Sequence, residues 1–480
     1  MQTMQSDLKS NDLSPKGLGL SARIAYGIGD FGPSMAGNTL TVFFFFFLTT
    51  IAGLSPALAG IILCLSQGWS ALSTLVIGVL SDRTQSRWGR RRIWMLSSVP
   101  LLSISFLMHW WIPPWQEGLQ FIYFLLVALL FQTAGNAFTI PYGALLTDLT
   151  DQQDEHVRLN GFRFGFSLSG GIGCLLLAQA VNHWSSQPQQ QLAILGGICA
   201  IVAAMSILCC CLATQEQPSP SSNSANAPCQ SPIRPIVPPK LTLTHFNTLL
   251  NNRPLMVLSG IYALSWSALQ ITPTVLPYFI VHCLNLQSSS IPAIVVLIQG
   301  TSLLSLSLWE ALSRHIGKKN VFWAGTSLWI LAMLGLMNLQ PGQFSLLYGL
   351  AVFMGIGMST VYLVPLSLLP EVADLDEQLS GQRREGLIYS ILVFLQKIAL
   401  ALGLFIVGQL LAEAGFQSAI PGPVQLLQPQ SALMTIRSIT VILPVMSLLA
   451  SLLLMGLYRV KPGQWAGAKL EPQSATAVNR

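Results

Sequence analysis

Ser81-Asp82-Arg83-Thr84-Gln85-Ser86-Arg87-Trp88-Gly89-Arg90-Arg91-Arg92 separates two long apolar runs and carries five of the 24 lysines and arginines of the chain. The carboxylate of Asp82 ends the first run, where a helix C-terminus repels negative charge. A second copy lies 228 residues further on: Glu310 matches Asp82, Gly317 matches Gly89, and Lys318-Lys319 match Arg90-Arg91. The same offset pairs Trp94 with Phe322 and Pro113 with Pro341. A duplicated half, each copy carrying one charged hairpin, organises the chain.

Outward from the hairpins, 52% of residues are hydrophobic and 9% charged, far from the balance of a soluble domain. Twelve apolar spans can be counted, many longer than the roughly 20 residues that cross a bilayer as a helix. They run over Arg23–Ile51, Pro56–Leu80, Ile93–Ile112, Leu119–Leu146, Gly161–Val181 and Leu192–Leu212 in the first half. The second half gives Leu255–Val281, Ile291–Leu312, Val321–Leu339, Phe344–Leu369, Leu387–Ala412 and Ala432–Tyr458. The fold class expected is an all-α membrane protein of two pseudo-symmetric six-helix halves. A tail (residues 1–22) precedes the first half (23–213). A Pro/Ser-rich segment (214–253), too polar to bury a core, reads as a flexible linker. The second half (254–458) and a tail (459–480) follow.

The basic residues set the expected topology. The even-numbered connections and both termini, with Arg23 at the very start of the first span counted to the N-terminal tail, hold 21 of the 24; the other three, Arg163, Lys397 and Arg437, lie inside spans. By the positive-inside rule both termini are then cytoplasmic, in a multi-pass protein of the inner or plasma membrane. The net charge of +6 belongs to this topology and leaves no basic face for nucleic acid. Seven of eight cysteines lie in apolar runs, and no spacing suits a zinc site or disulfide framework. There is no phosphate loop, nucleophile elbow or metal motif, so an enzyme is not expected.

Two parallel halves joined by a long loop is the architecture of the major facilitator superfamily. Within it the chain resembles the glycoside–pentoside–hexuronide:cation symporters, the melibiose permease type. The resemblance is carried by Tyr26-Gly27-Ile28-Gly29-Asp30-Phe31-Gly32, Ala52-Gly53-Leu54-Ser55-Pro56, Ser81–Arg92 and Ile140-Pro141-Tyr142. Further along it rests on Pro370-Glu371-Val372-Ala373-Asp374-Leu375-Asp376-Glu377 and Gly381-Gln382-Arg383-Arg384-Glu385-Gly386.

Charged groups inside spans cost about 2.5–3.5 kcal/mol each on insertion scales and are functional candidates. Asp30, Arg163 and Lys397 are so placed; the alternative is a buried structural pair or a snorkelling group, which suits Lys397, near mid-depth, less well than the other two. The resemblance implies that Arg163 belongs to the sugar site and Lys397 stands beside the cation site. It further implies that Tyr362 packs on the sugar and that Ser34 takes the place of a sugar-binding carboxylate, with Asp30 one turn earlier. The stripe Tyr262, Trp266, Gln270 reads as packing or a stacking platform. The family's cation ligands are carboxylates. Here those positions read Ser70, Ser73, Thr74 and Thr139, which coordinate a cation without neutralising it. Sodium is therefore not expected to drive transport through them; a coupling proton or facilitation remains, and no other cofactor is expected. Asp82, Arg90, Glu310, Arg383 and Arg384 form the expected cytoplasmic gate, with Asp82 reaching the start of the eleventh helix and Glu310 facing Arg158.

The expected function is transport of a glycoside or small polyol by alternating access, with substrate and membrane lipids as the partners. A lipid-like amphiphile carried by the same fold, and a non-transporting assembly or sensor protein, are the alternatives.

Overall fold

The computed structural model describes residues 19–84, 86, 88–149, 153–182, 184, 187–214, 253–380, 385–418 and 428–458. It is all helical among these residues. Among the described residues, eleven helices are long and apolar enough to cross a membrane. In order they are α1 (Leu20–Ile51), α2 (Pro56–Arg83), α4 (Glu117–Leu146), α5 (Arg158–Val181), α6 (Pro188–Ala213), α7 (Arg253–Cys283), α8 (Ser288–Ile316), α9 (Lys318–Met337), α10 (Phe344–Gln378), α11 (Ile388–Glu413) and α12 (Gln430–Leu457). The twelfth, α3 (Arg92–Met108), is shorter because it gives way to a turn at His109-Trp110, where the sequence predicts a span continuing to Ile112.

Two of these rods are interrupted for readable reasons. α1 breaks between Leu20–Ile28 and Phe31–Phe46. Pro33 has no N–H to offer the Gly29 carbonyl, and the chain tightens to three-residue bonds, Gly29 N–H to Tyr26 O and Asp30 N–H to Gly27 O. α10 is two helices, Phe344–Ser367 and Leu369–Ser380, with Pro365 and Pro370 on either side of the junction. The second piece lies where the sequence predicts a connection.

The chain forms two compact units, and the boundary does not follow the repeat. Among the described residues, the first contains those up to Leu40 and those from Leu72 to Thr214; the second contains Thr41–Ala71 together with those from Arg253 onward. In the first unit Tyr26, Met95, Phe138, Tyr142, Leu159, Ile207 and Cys210 make a buried cluster drawing on α1, α3, α4, α5 and α6. Tyr26 and Tyr142 each donate to the other's carbonyl, at 3.3 and 2.5 Å, so two buried hydroxyls are satisfied without water. α1 and α5 approach closely at Gly27, where an added Cβ would stand 3.0 Å from the Phe162 carbonyl carbon.

In the second unit Gly60 of α2 meets Gly408 of α11, and a Cβ at Gly60 would lie 2.9 Å from the Gly408 Cα. Small residues let helix backbones pack this closely in a membrane. Nearby, Thr274 donates to the Thr41 carbonyl (2.9 Å), Tyr278 to the Phe45 carbonyl (2.9 Å), and Ser418 to the Leu54 carbonyl (2.7 Å). The first hairpin of the chain is thus fastened into this unit by hydroxyl-to-carbonyl bonds.

The charged hairpins have a structural duty as well. Arg92 donates to the carbonyl of Cys211 at the end of α6, and Lys319 to the carbonyl of Tyr458 just past α12. In each copy, a cation that follows the hairpin glycine satisfies the C-terminal carbonyls of the last helix of its half, where positive charge is favoured.

Candidate functional site

Along their parallel contact, α1 and the helix containing α5 present one polar pair per turn or two. Arg23 holds Glu155 at 3.1 and 2.8 Å. Above the Tyr26–Tyr142 pair, Arg163 Nε lies 3.1 Å from Asp30 Oδ2. Ser34 and Ser167 hydroxyls are 2.6 Å apart, and Asn38 donates to the Gly171 carbonyl at 2.7 Å. The offset between partners stays at 132 or 133 residues, which is the signature of two helices running side by side in register.

Asp30 and Arg163 are 15% and 20% exposed, so this pair is largely removed from water. The Arg163 guanidinium also lies over the Tyr142 ring, 5.0 Å from its centroid. Tyr142 is itself stacked between Tyr26 and Phe138, with centroids 4.8 and 4.9 Å away. The result is a planar cationic fork, a carboxylate and an aromatic stack brought together at the break in α1.

Lys397 lies on α11, and its Nζ donates to the Ser70 hydroxyl (2.9 Å) and faces the Ser70 carbonyl (3.3 Å). One turn along α2, Ser73 accepts from Asn136 Nδ2 at 2.7 Å. Asn136 is buried, whereas Thr139, the α4 position expected from the sequence, is exposed. Thr74 is half-buried. In the second unit Tyr362 of α10 packs edge-on against Trp266 of α7 (5.4 Å), and Trp266 against Tyr262 (5.3 Å).

The expected gate residues have local partners here. Asp82 is bonded by Arg91 (3.1 Å) and Glu310 by Arg314 (2.8 Å). Arg158 lies 3.6 Å from Glu155. Arg90 is exposed in the hairpin turn. Arg383 and Arg384 lie outside the described residues. Arg437, the third basic residue inside a span, donates to the Met337 carbonyl at the end of α9 (2.9 Å) and is a helix cap. Glu155 and Asn136 were not singled out from the sequence. Glu155 could have been found from its place three residues before Arg158, the i, i+3 spacing that pairs charges on a helix. Among the described residues no group of three His, Cys, Asp or Glu could hold a metal ion.

The family model for MFS/sugar transport proteins matches residues 25–461. The chain belongs to this family. That agrees with the resemblance to glycoside–pentoside–hexuronide:cation symporters, and makes the protein a multi-pass membrane transporter of symporter type. An uncharacterized symporter of Synechocystis is 35% identical, covering 94% of this chain and 96% of the relative. The glucuronide carrier protein homolog of Escherichia coli is 25% identical over 82% of this chain and 83% of its own. The sodium-dependent lysophosphatidylcholine symporter 1 of Xenopus tropicalis is 24% identical, covering 92% and 88%. Among solved structures, a bacterial homolog of the human lysosomal transporter Spinster superposes with a TM-score of 0.66 at 15% identity, covering 92% of this chain and 98% of that one. The family's fold is therefore shared well beyond its detectable sequence relatives.

Proposed function

We propose that the chain moves a glycoside or related small polyol across the membrane by alternating access, with both termini in the cytoplasm. The observation that carries this reading is the Asp30–Arg163–Tyr142 group within the membrane spans. A carboxylate acceptor and a bidentate planar donor, held in place by the buried aromatic stack beside them, are groups that recognise the hydroxyls of a sugar ring. The glucuronide carrier homolog among the relatives supports the same substrate class. In this reading Asp82 and Glu310 exchange their local partners during the cycle, and sodium does not drive it. The gate comprises these acids with Arg90, Arg383 and Arg384.

A second reading is an amphiphile carrier, favoured by the similarity to the lysophosphatidylcholine symporter over most of both chains. An uptake panel in reconstituted vesicles separates them: hexosides, hexuronides, polyols and lysophospholipids, each with imposed sodium or proton gradients. Uptake of a lysophospholipid with no movement of any glycoside would overturn the first reading. If no compound moves, the non-transporting alternative takes its place.

A further inference from the structure

The end of α1 and the end of α7 are built alike, and this gives the register between these two helices, four residues longer than the 228-residue offset of the hairpins. Each closes in a π turn, Phe47–Ile51 and Phe279–Cys283. In the first, Ala52 N–H bonds Phe47 O and Leu54 N–H bonds Leu48 O; in the second, Leu284 N–H bonds Phe279 O and Leu286 N–H bonds Ile280 O. The offset is 232 residues throughout. Carried back along the two helices, it sets Asp30, Ser34 and Asn38 against Tyr262, Trp266 and Gln270. The polar stripe of α1 thus has a counterpart on α7 made of two aromatics and an amide.

The two stripes differ in how their polar groups are satisfied. Asp30, Ser34 and Asn38 bond to α5 and its helix. The Tyr262 hydroxyl, the Trp266 indole N–H, the Gln270 side-chain amide and the Tyr362 hydroxyl of α10 make no hydrogen bond to any described residue. Polar groups at membrane depth are almost always bonded, and exceptions mark places where water or a polar ligand reaches them.

We infer that the α7 stripe Tyr262–Trp266–Gln270, with Tyr362, is a substrate subsite of the second unit that takes the uncharged ring of a glycoside. This rests on the glycoside reading. A pyranose ring has an apolar face that covers an indole or phenol ring, and a rim of hydroxyls that engages the N–H, O–H and amide groups around it. Aromatic rings of this kind also attract a trimethylammonium group. That group makes no hydrogen bonds and would leave all four polar groups unsatisfied, which argues for the sugar. Pro273, one turn beyond the stripe, removes the N–H that would bond the Leu269 carbonyl and loosens the helix there.

The test is equilibrium binding of p-nitrophenyl hexosides and hexuronides to the purified full-length protein and to Trp266→Ala, Trp266→Phe and Gln270→Ala. Size exclusion and thermal melting verify folding. Against the best-bound probe of the parent, the alanine variants should bind about tenfold more weakly, the loss of one aromatic or polar contact. Trp266→Phe keeps the ring face and should bind more tightly than Trp266→Ala; if Trp266→Ala does not fold, Gln270→Ala decides. Folded alanine variants that bind like the parent would overturn the subsite and leave the transport reading standing. A parent that binds none of the glycosides, or binds lysophosphatidylcholine in their place, would overturn both.

Discussion

Arg163 Nε stands 3.1 Å from Asp30 Oδ2 at the point where α1 breaks and rewinds. The break is what makes the pair. With Pro33 in the next turn and glycines at positions 27 and 29, α1 yields at Gly29-Asp30 and turns the carboxylate toward α5. Removing one member of a buried pair strands the other charge and costs about 3–5 kcal/mol. Arg163→Ala and Asp30→Asn should each abolish uptake by reconstituted protein while still inserting and purifying as a single species. Arg163→Lys, which loses the fork and its stacking on Tyr142, should retain only a small part of the rate. Undiminished uptake by Arg163→Ala would remove this pair from the site.

Asn136, rather than Thr139, meets Ser73. Deleting a buried side-chain amide leaves the Ser73 hydroxyl short of a donor, at roughly 1–3 kcal/mol. Asn136→Ala is expected to lower transport and the melting temperature, and Thr139→Ala to change neither by much. The reverse ranking, read from uptake and thermal melts of both variants, would put the α4 contribution back at Thr139.

Three cations close helix ends: Arg92 at Cys211, Lys319 at Tyr458 and Arg437 at Met337. Charge complementarity at a helix C-terminus contributes about 0.3–1 kcal/mol, up to ~2 where partly buried. Lys319→Ala and Arg437→Ala should therefore melt a few degrees lower and bind substrate with unchanged affinity. Asp82→Asn makes the complementary case, since its carboxylate belongs to the proposed gate: it should slow transport with little loss of stability. A large affinity loss in Arg437→Ala would show that this residue does more than cap α9.

The count of twelve spans and the duplicated hairpin were legible because both rest on long-range features of sequence, apolar run length and a repeated charge pattern. Faces were much harder to read. A helix such as α4 is apolar all round, so periodicity gives no direction, and nothing in the sequence distinguishes the side of Asn136 from that of Thr139. Arg437 shows the same limit from another direction: a basic residue inside a span signals cost, and only the structure tells a helix cap from a ligand. The break in α1 was written in Gly29 and Pro33, and the second helix of α10 in the acidic run from Glu371 to Glu377. Composition assigned that run to a connection because charge in a membrane protein usually lies there. The division of the chain within α1 and α2, at Leu40 and Ala71, has no local marker, since it depends on how Gly60 and Thr41 pack against residues more than 200 positions away.

Lys397 provides the sharpest test of energetics. Its ammonium sits on the hydroxyl and carbonyl oxygens of Ser70 (2.9 and 3.3 Å), the kind of oxygen donors a small cation would use. The stretch Gln67–Leu75 contains no carboxylate, so its oxygens cannot neutralise a sodium ion in a medium of low dielectric. A tethered ammonium in the same place brings its charge with it and competes directly with any bound cation. Uptake at fixed pH should then be the same with and without an inward sodium gradient. Lys397→Ala should lose transport without gaining sodium dependence, because its removal restores no negative ligand. Ser70→Asp in the parent background would give Lys397 a counter-ion and should also slow transport, while Ser70→Ala loses only one donor contact and should slow it less. Strong stimulation of the parent by sodium, removed by Ser70→Ala or Thr74→Ala, would overturn the argument and show that the hydroxyls alone hold the ion.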